Sequence, residues 1–376
     1  MKVLLFDMDG VLIHARAYHR ALQDTVSVVG KALGYKTVDL RADVIELIES
    51  VGITSEWDSA AICCALLLKD IWQMSPLADL PKHPPLPRIP KHDLPMPDFR
   101  GFFNSQRMSD HPDTSGLLRA EAALLKDGGY LETQVESVRS LLRGARSING
   151  SITHRLFQEF VLGSDVFKMT YGFSGYLHVE GYLLSDDQPA LSSDRYNQLL
   201  DWLDQEGHRA VVFTNRPSKP PPGYFDTPEA ELGLSVVGLE SLPLIGRGGL
   251  AWVAERRGLE PEIFLKPSPV HVLAALCCAM GFSREEALNL AVSLVVDQKM
   301  DEKCKSFSGA EVYVFEDSIK GFRSAQQAAD IFSYLGVTFQ LHLIGVSDSE
   351  EKQHALRLAG AKEVFGNLDS ALSRVL

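Results

Sequence analysis

The sequence predicts an α/β protein in which a parallel β-sheet, with helices on both faces, is interrupted by a large helical insertion. Three observations carry this expectation. Residues 2–6 (KVLLF) form a short apolar, β-rich run that stops at Asp7, the signature of a buried strand delivering a carboxylate to its C-terminal end. Beyond Asp187, short apolar runs alternate with helical periods, the pattern of a parallel sheet. The stretch between, from about His14 to Asp187, is helical in period, so the lone first strand has no partner except in the later sheet.

The elements follow in order. In the insertion, helical periods cover residues 15–33, about 40–51 and about 57–71, with Thr54, Ser55 and Asp58 as a capping arrangement at the start of the third. Residues 80–97 (LPKHPPLPRIPKHDLPMP) carry proline at seven positions, which excludes an ordinary helix or a central strand and predicts an extended surface excursion. Residues 117–125, 130–146 and 153–162 are helical again, separated by Gly128-Gly129 and Asn149-Gly150. After Asp187, Ser192 or Ser193 caps a helix that runs to Glu206, and residues 209–213 and 234–239 read as strands. Phe264-Leu265 leads into Lys266, followed by helices over residues 270–280 and 284 to about 305. A strand at 312–315, a helix from 319 to about 329, a strand at 339–346 and a helix at 351–359 complete the pattern. The expected organisation is a discontinuous α/β core of residues 1–13 and 190–376, with an inserted helical domain of residues 14–189 that contains the proline-rich excursion. A chain of 376 residues has room for two or three folded units, given roughly 150 residues per domain.

Composition narrows the function. With 45% hydrophobic and 23% charged residues the chain has the make-up of an ordinary globular protein. Its net charge of −12 opposes a nucleic-acid partner and requires any anionic substrate to be held by local devices: a metal ion, a helix N-terminus or a few placed cations. No run reaches the roughly 18 to 20 apolar residues that span a bilayer, and Asp7 and Asp9 interrupt the only N-terminal apolar stretch, so neither a membrane partner nor a signal peptide is expected. Five cysteines, two pairs of them adjacent (Cys63-Cys64 and Cys277-Cys278), fit neither a disulfide framework nor a zinc site. Buried thiols in a reducing, cytoplasmic setting are the expectation.

Chemistry gathers at strand ends. Asp7 and Asp9 (FDMDGVL), Thr214 (VVFTNR), Lys266 (LKPSP) and Glu316-Asp317 (VFEDSIKG) all follow expected strands or lead out of them. Ligands of an open α/β sheet bind at such ends. Carboxylates that hold a hard divalent cation, beside a hydroxyl and a lysine that hold phosphate oxygens, are complementary chemistries.

In these residues the sequence resembles the haloacid dehalogenase superfamily, in particular its phosphatases and phosphomutases. The resemblance rests on DxDG[VT] at residues 7–11, an apolar strand with Thr214-Asn215, KPxP at residues 266–269, and EDSxxG at residues 316–321, in that order. It covers residues 1–13 and about 190–376, and it implies a Rossmann-like core whose inserted cap lies between the first and second motifs. It implies roles as well. Asp7 is the nucleophile that forms an aspartyl-phosphate; Asp9 is the general acid and then the base; Gly10 turns the chain clear of the phosphate. Thr214 and the Asn215 amide donate to the phosphoryl group, and Lys266 neutralises it. Mg2+ is held by Asp7, Asp317 and the backbone carbonyl of Asp9, with Glu316 acting through water. The second aspartate argues against dehalogenation, since a halide leaves without an acid while an alkoxide needs one.

Plainer readings accompany several of these residues. Thr214 is also suited to capping a turn, and Glu316 to supporting a ligand rather than being one. Arg216 is a candidate second contact to phosphate or substrate. His14 and Arg16 either touch substrate or form a solvated hinge. His19, His154 and His178 show no metal-ligand spacing, and Trp57 suits the core of the insertion or a pocket wall. The 80–97 excursion reads as a loop, with a lid or a polyproline docking segment as alternatives, and residues 283–310 read as an oligomer contact or an added packing layer away from the chemistry. The expected activity is Mg2+-dependent hydrolysis of a small-metabolite phosphomonoester. Phosphomutase chemistry and a regulatory phosphate-binding module are the alternatives, and the oligomeric state is left open, a homo-oligomer included.

Overall fold

The computed structural model describes residues 1–106 and 115–376. The chain divides into two compact units, one formed by Met1–Ala15 with Asp187–Leu376 and the other by Arg16–Asp186.

The first unit holds the strands β1 (Lys2–Phe6), β2 (Ile13–His14), β3 (Gln188–Pro189), β4 (His208–Phe213), β5 (Leu244–Ile245), β6 (Glu311–Glu316), β7 (Gln340–Val346) and β8 (Glu363–Phe365). Six of them form one sheet in the order β5-β4-β1-β6-β7-β8, with every pairing parallel. β1 takes a central place because its side chains are apolar toward both faces, as a parallel strand covered on both sides requires. Val3 and Leu5 pack with Val211, Val312 and the helices Pro269–Ala279, Arg284–Val292 and Ile319–Tyr334. Leu4 and Phe6 pack on the other face with Val212, Phe315 and the helices Ser193–Leu203, Glu229–Val237 and Leu368–Leu372. The core is Rossmann-like, and the second unit is a large helical insertion within it.

Register positions the chemistry. Phe6 lies opposite both Val212 and Phe315, which sets Asp7 level with Phe213 on one side and Glu316 on the other. The chain runs from β1 outward to β4 and β5, then returns to place β6 on the opposite side of β1. Strand order reverses there, and a crevice opens at the carboxyl ends of such strands.

Some expectations are corrected. Residues 234–239 do not form a strand: the helix Glu229–Val237 covers most of them, and Gly238 ends it at φ 70°. Short apolar runs fit either state, and the true edge strand is only Leu244–Ile245. The helix expected over residues 284–305 stops at Val292, continues as a π-turn over Ser293–Asp297, and breaks at Gln298, whose φ of 52° is left-handed. A short 3-10 helix, Glu302–Phe307, follows. The domain boundaries expected at 13/14 and 189/190 would cut through an antiparallel ladder, for Ile13 pairs with Pro189 and His14 with Gln188.

In the second unit the helices Ala17–Ala32, Glu56–Ile71 and Ile152–Leu162 pack on one another. Ser55 precedes the second of these without a side-chain cap bond. Asp58, expected in the cap, instead accepts two bonds from Arg146, at 3.0 and 2.9 Å. Residues 80–97 form no regular element and are pinned to the first helix: Ile89 N–H donates to Ala32 O (3.0 Å), His92 N–H to Gly34 O (3.1 Å), and the buried His92 ring nitrogen Nε2 lies 3.0 Å from Leu33 O. Buried Glu159 accepts from Ser164 Oγ (2.8 Å) and from the backbone N–H groups of Leu177 and His178 (2.8 and 3.0 Å), which orders the turn that follows Tyr171. All five cysteines are buried thiols.

His271 gives this core a pH signature. It is fully buried, with Nε2 3.0 Å from Ile245 O, and burial together with the charge of Lys266 pushes its pKa down to about 3. Its unfolded value is about 6.5, so the folded state binds fewer protons between these limits and stability falls as the pH drops through them. Replacing His271 with Leu is expected to flatten the unfolding free energy measured by urea titration between about pH 6.5 and 4, removing a slope of up to about 1.4 kcal/mol per pH unit. An unchanged slope contradicts the assignment.

Candidate active site

Asp7 directly follows β1 and is only 7% exposed, its N–H donating to Phe315 O at 3.0 Å and extending the ladder by one residue. Glu316 closes β6 and is fully buried, and Asp317 follows it. Lys266 enters from the turn before the helix Pro269–Ala279. Its Nζ stands 2.6 Å from Asp7 Oδ1, 3.1 Å from Glu316 Oε1 and 3.9 Å from the centre of the Phe213 ring. Ser318 Oγ donates to Glu316 Oε1 at 2.7 Å. Two glycines permit this packing. A Cβ on Gly321 would lie 1.7 Å from Glu316 Oε1, and Gly10, at φ 77°, would place one 2.7 Å from Asp317 Oδ2.

The charges do not balance within this group. Burial first, and the charge of Asp7 second, raise the carboxyl groups of Glu316 and Asp317, against the opposing pull of Lys266 on the one and of Lys352, whose Nζ is 3.1 Å from Asp317 Oδ2, on the other. Burial works against the Lys266 ammonium, but Asp7 and Glu316 outweigh it and hold the group above its ordinary range. Asp7, Glu316 and Asp317 each offer an oxygen within 4.8 Å of the others. Crowded hard oxygen donors with a surplus of negative charge suit a divalent cation of the Mg2+ type.

The loop after β4 supplies the polar rim. Thr214 N–H donates to Ile245 O at 3.0 Å, and its hydroxyl oxygen accepts from Arg216 N–H at 3.1 Å, which is the turn-capping role, while its O–H stays available to donate. Asn215 is exposed and accepts the Lys266 N–H at 3.2 Å, tying this loop to the one that carries the lysine.

Arg216 departs from its expected role as a phosphate or substrate contact. Only 3% exposed, it sends Nε to within 2.9 Å of both oxygens of Asp9 and Nη2 to 2.9 Å from Asp187 Oδ2. A buried guanidinium requires a counter-charge, and the wholly buried Asp187 carboxylate supplies one. The Asp9 side chain is held by Arg216, apart from the clustered carboxylates Asp7, Glu316 and Asp317, and only its backbone carbonyl was expected on the metal. His14 is exposed in β2, and Arg16 belongs to the helical unit, just ahead of its first helix.

Sequence reasoning missed the parts played by Asp187 and Lys352, neither of which belongs to a recognisable motif, and gave no role to Ser318, although it lies within EDSxxG. It also missed a grouping in the helical unit, where His19, Glu49 and Glu56 bring their ligand atoms within 4.8 Å. There His19 Nε2 lies 3.0 Å from Glu49 Oε1, and that bond raises the imidazole above its usual range. His154 Nδ1 rests 3.1 Å from Ala145 O with its ring against Trp57, and His178 supports the Glu159 turn.

No protein-family model matches the chain, and no curated protein matches it. Solved structures do. An X-ray structure of a Northeast Structural Genomics Consortium target is similar over 100% of this chain and 99% of its own, with 16% identity and a TM-score of 0.57. A hydrolase from Pseudomonas syringae is similar over 100% of this chain and 97% of its own, with 11% identity and a TM-score of 0.35. A phosphatase from Thermococcus thioreducens is similar over 94% and 99%, with 13% identity and a TM-score of 0.42. The first likeness establishes a shared fold. Among the described residues, no helix is long and apolar enough to cross a membrane.

The buried lysine yields a stability test. Lys266→Met strips Asp7 and Glu316 of their buried counter-charge and is expected to lower the unfolding free energy by about 3–5 kcal/mol. Adding Glu316→Gln restores part of the loss. Urea denaturation of the single and double variants measures both, and wild-type stability in Lys266→Met contradicts the charge balance described.

Proposed function

We propose that this protein is a Mg2+-dependent phosphatase of the haloacid dehalogenase superfamily, of the kind whose cap lies between the first and second motifs. Its reaction is the hydrolysis of a small-metabolite phosphomonoester through an aspartyl-phosphate on Asp7. The observation that carries this reading is the placing of Lys266 Nζ between Asp7 and Glu316, beside Asp317, at the carboxyl ends of β1 and β6.

Asp7 and Asp317 would hold Mg2+, with the backbone carbonyl of Asp9 as a further oxygen and Glu316 acting through water. Bound there, the ion supplies the charge screening that lets a carboxylate approach an anionic ester. An Asp7 oxygen attacks phosphorus while the bond from phosphorus to the ester oxygen breaks, and Asp9 passes its proton to that oxygen. Asp9, now ionised, takes a proton from water whose oxygen attacks the same phosphorus; the bond to Asp7 breaks and phosphate leaves. The Thr214 hydroxyl and the Asn215 N–H donate to the phosphoryl oxygens, Gly10 keeps the turn clear of them, and Lys266 offsets charge on Asp7 and on the transferring group.

A panel of sugar, nucleotide, amino-alcohol and carboxylic-acid phosphates with Mg2+ tests the proposal. Phosphate release is expected from at least one class and is abolished by chelation. Asp7→Asn is expected to reduce it to background and Asp9→Asn to lower kcat by about 10²–10⁴-fold. A wild-type rate in Asp7→Asn overturns the mechanism.

A further inference from the structure

We propose that Arg216 and Asp187 are positioning residues that fix the plane of the Asp9 carboxylate for proton transfer, an inference that rests on the phosphatase reading above. Asp9 lies in the turn after β1, where the backbone reverses at Gly10 and the N–H groups of Leu12 and Ile13 close onto Met8 O at 2.9 and 3.0 Å. Its side chain is 39% exposed, so packing alone does not hold it. The guanidinium does. Nε lies 2.9 Å from both oxygens and Nη2 engages Oδ1 as well, a planar grip that a lysine ammonium cannot reproduce.

Arg216 is itself fixed from behind. Its side chain is buried, and Nη2 meets the wholly buried Asp187 carboxylate at 2.9 Å. The helix Glu229–Val237 walls the guanidinium so closely that a Cβ on Gly233 would lie 3.2 Å from Nη1. Asp187 is anchored in turn. It precedes β3, which pairs with β2 just beyond the Asp9 turn, and Ala190 N–H donates to Leu12 O at 2.9 Å. One ion pair with Asp187 already meets the need of a buried guanidinium for a counter-charge. A second, multidentate grip on the half-exposed acid beside the nucleophile is a positioning contact, because proton transfer demands that the acid be held within hydrogen-bond reach of the leaving oxygen.

The test compares the full-length wild type with Arg216→Lys and Asp187→Asn, in Mg2+, on glycerol phosphate and on 4-nitrophenyl phosphate. Glycerol leaves only with a proton supplied, whereas nitrophenolate needs none. In Arg216→Lys, kcat on glycerol phosphate is expected to fall by about 100-fold with KM unchanged, while the pre-steady-state burst of nitrophenolate keeps its wild-type rate. Asp187→Asn, which leaves Arg216 on Asp9 with its rear support weakened, is expected to lose about tenfold on glycerol phosphate and to keep the burst. It serves as the test should Arg216→Lys fail to fold by thermal melting. Wild-type kcat in the folded variants, or equal loss of the burst and of glycerol phosphate turnover, overturns the positioning role while leaving Asp7 as the nucleophile. A wild type with no Mg2+-dependent turnover of these esters or of any class in the panel above overturns the phosphatase reading and this inference with it.

Discussion

One buried ammonium, Lys266 Nζ, meets Asp7 at 2.6 Å and Glu316 at 3.1 Å, and the surrounding elements are arranged so that these charges lie together away from water. Burying ionised groups costs several kcal/mol each unless they are paired and hydrogen-bonded. The neighbours serve that requirement. Phe213 lends its ring face to the lysine, Ser318 donates to Glu316, Asn215 holds the lysine's backbone, and Lys352 faces Asp317. Two carboxylates on one buried lysine still leave a surplus of negative charge, which is why the cluster suits a cation and, through it, an anionic substrate. On the proposed function, the acidity of the chain, net −12, is then no obstacle to a phosphate substrate.

The sheet makes that meeting of charges reproducible. Because β1 is paired on both sides, Asp7 inherits its height from two registers at once, Phe6 against Val212 and Phe6 against Phe315. A slip of one residue in either pairing would exchange Val3 and Leu5 with Leu4 and Phe6 between two differently shaped cores and move Asp7 off the level of Glu316, so core packing and site geometry are fixed by the same constraint. The loop after β4 then adds a second layer of charge, in which Arg216 joins the turn leaving β1 to the segment that returns before β3.

What was legible in the sequence follows this division. A central parallel strand is a continuous apolar run, so KVLLF and its terminal aspartate could be read directly, as could the strands that end at Phe213 and Glu316. The two-residue edge strand β5 is too short to show a period, and the apolar residues 234–239 fit a helix as well as a strand. Asp7, Lys266 and Asp317 could be named because each sits in a local motif. The part played by Arg216 could not, because its partners are 207 and 29 residues away and neither separation leaves a pattern in the chain. Lys352 looks like any lysine on an exposed helix until the fold brings it to Asp317. Asp58 looked like a capping residue for the same reason that it is useful to Arg146: a short carboxylate near a helix start serves either purpose.

The proposed function requires the carboxylates at the ends of β1 and β6 to form a divalent-cation site. Titration of the metal-free protein with Mn2+, followed by the loss of the free-ion electron paramagnetic resonance signal, tests it most directly. One saturable ion per chain is expected, displaced by Mg2+ and lost in Asp317→Asn. No saturable binding, or binding undiminished in that variant, would contradict it.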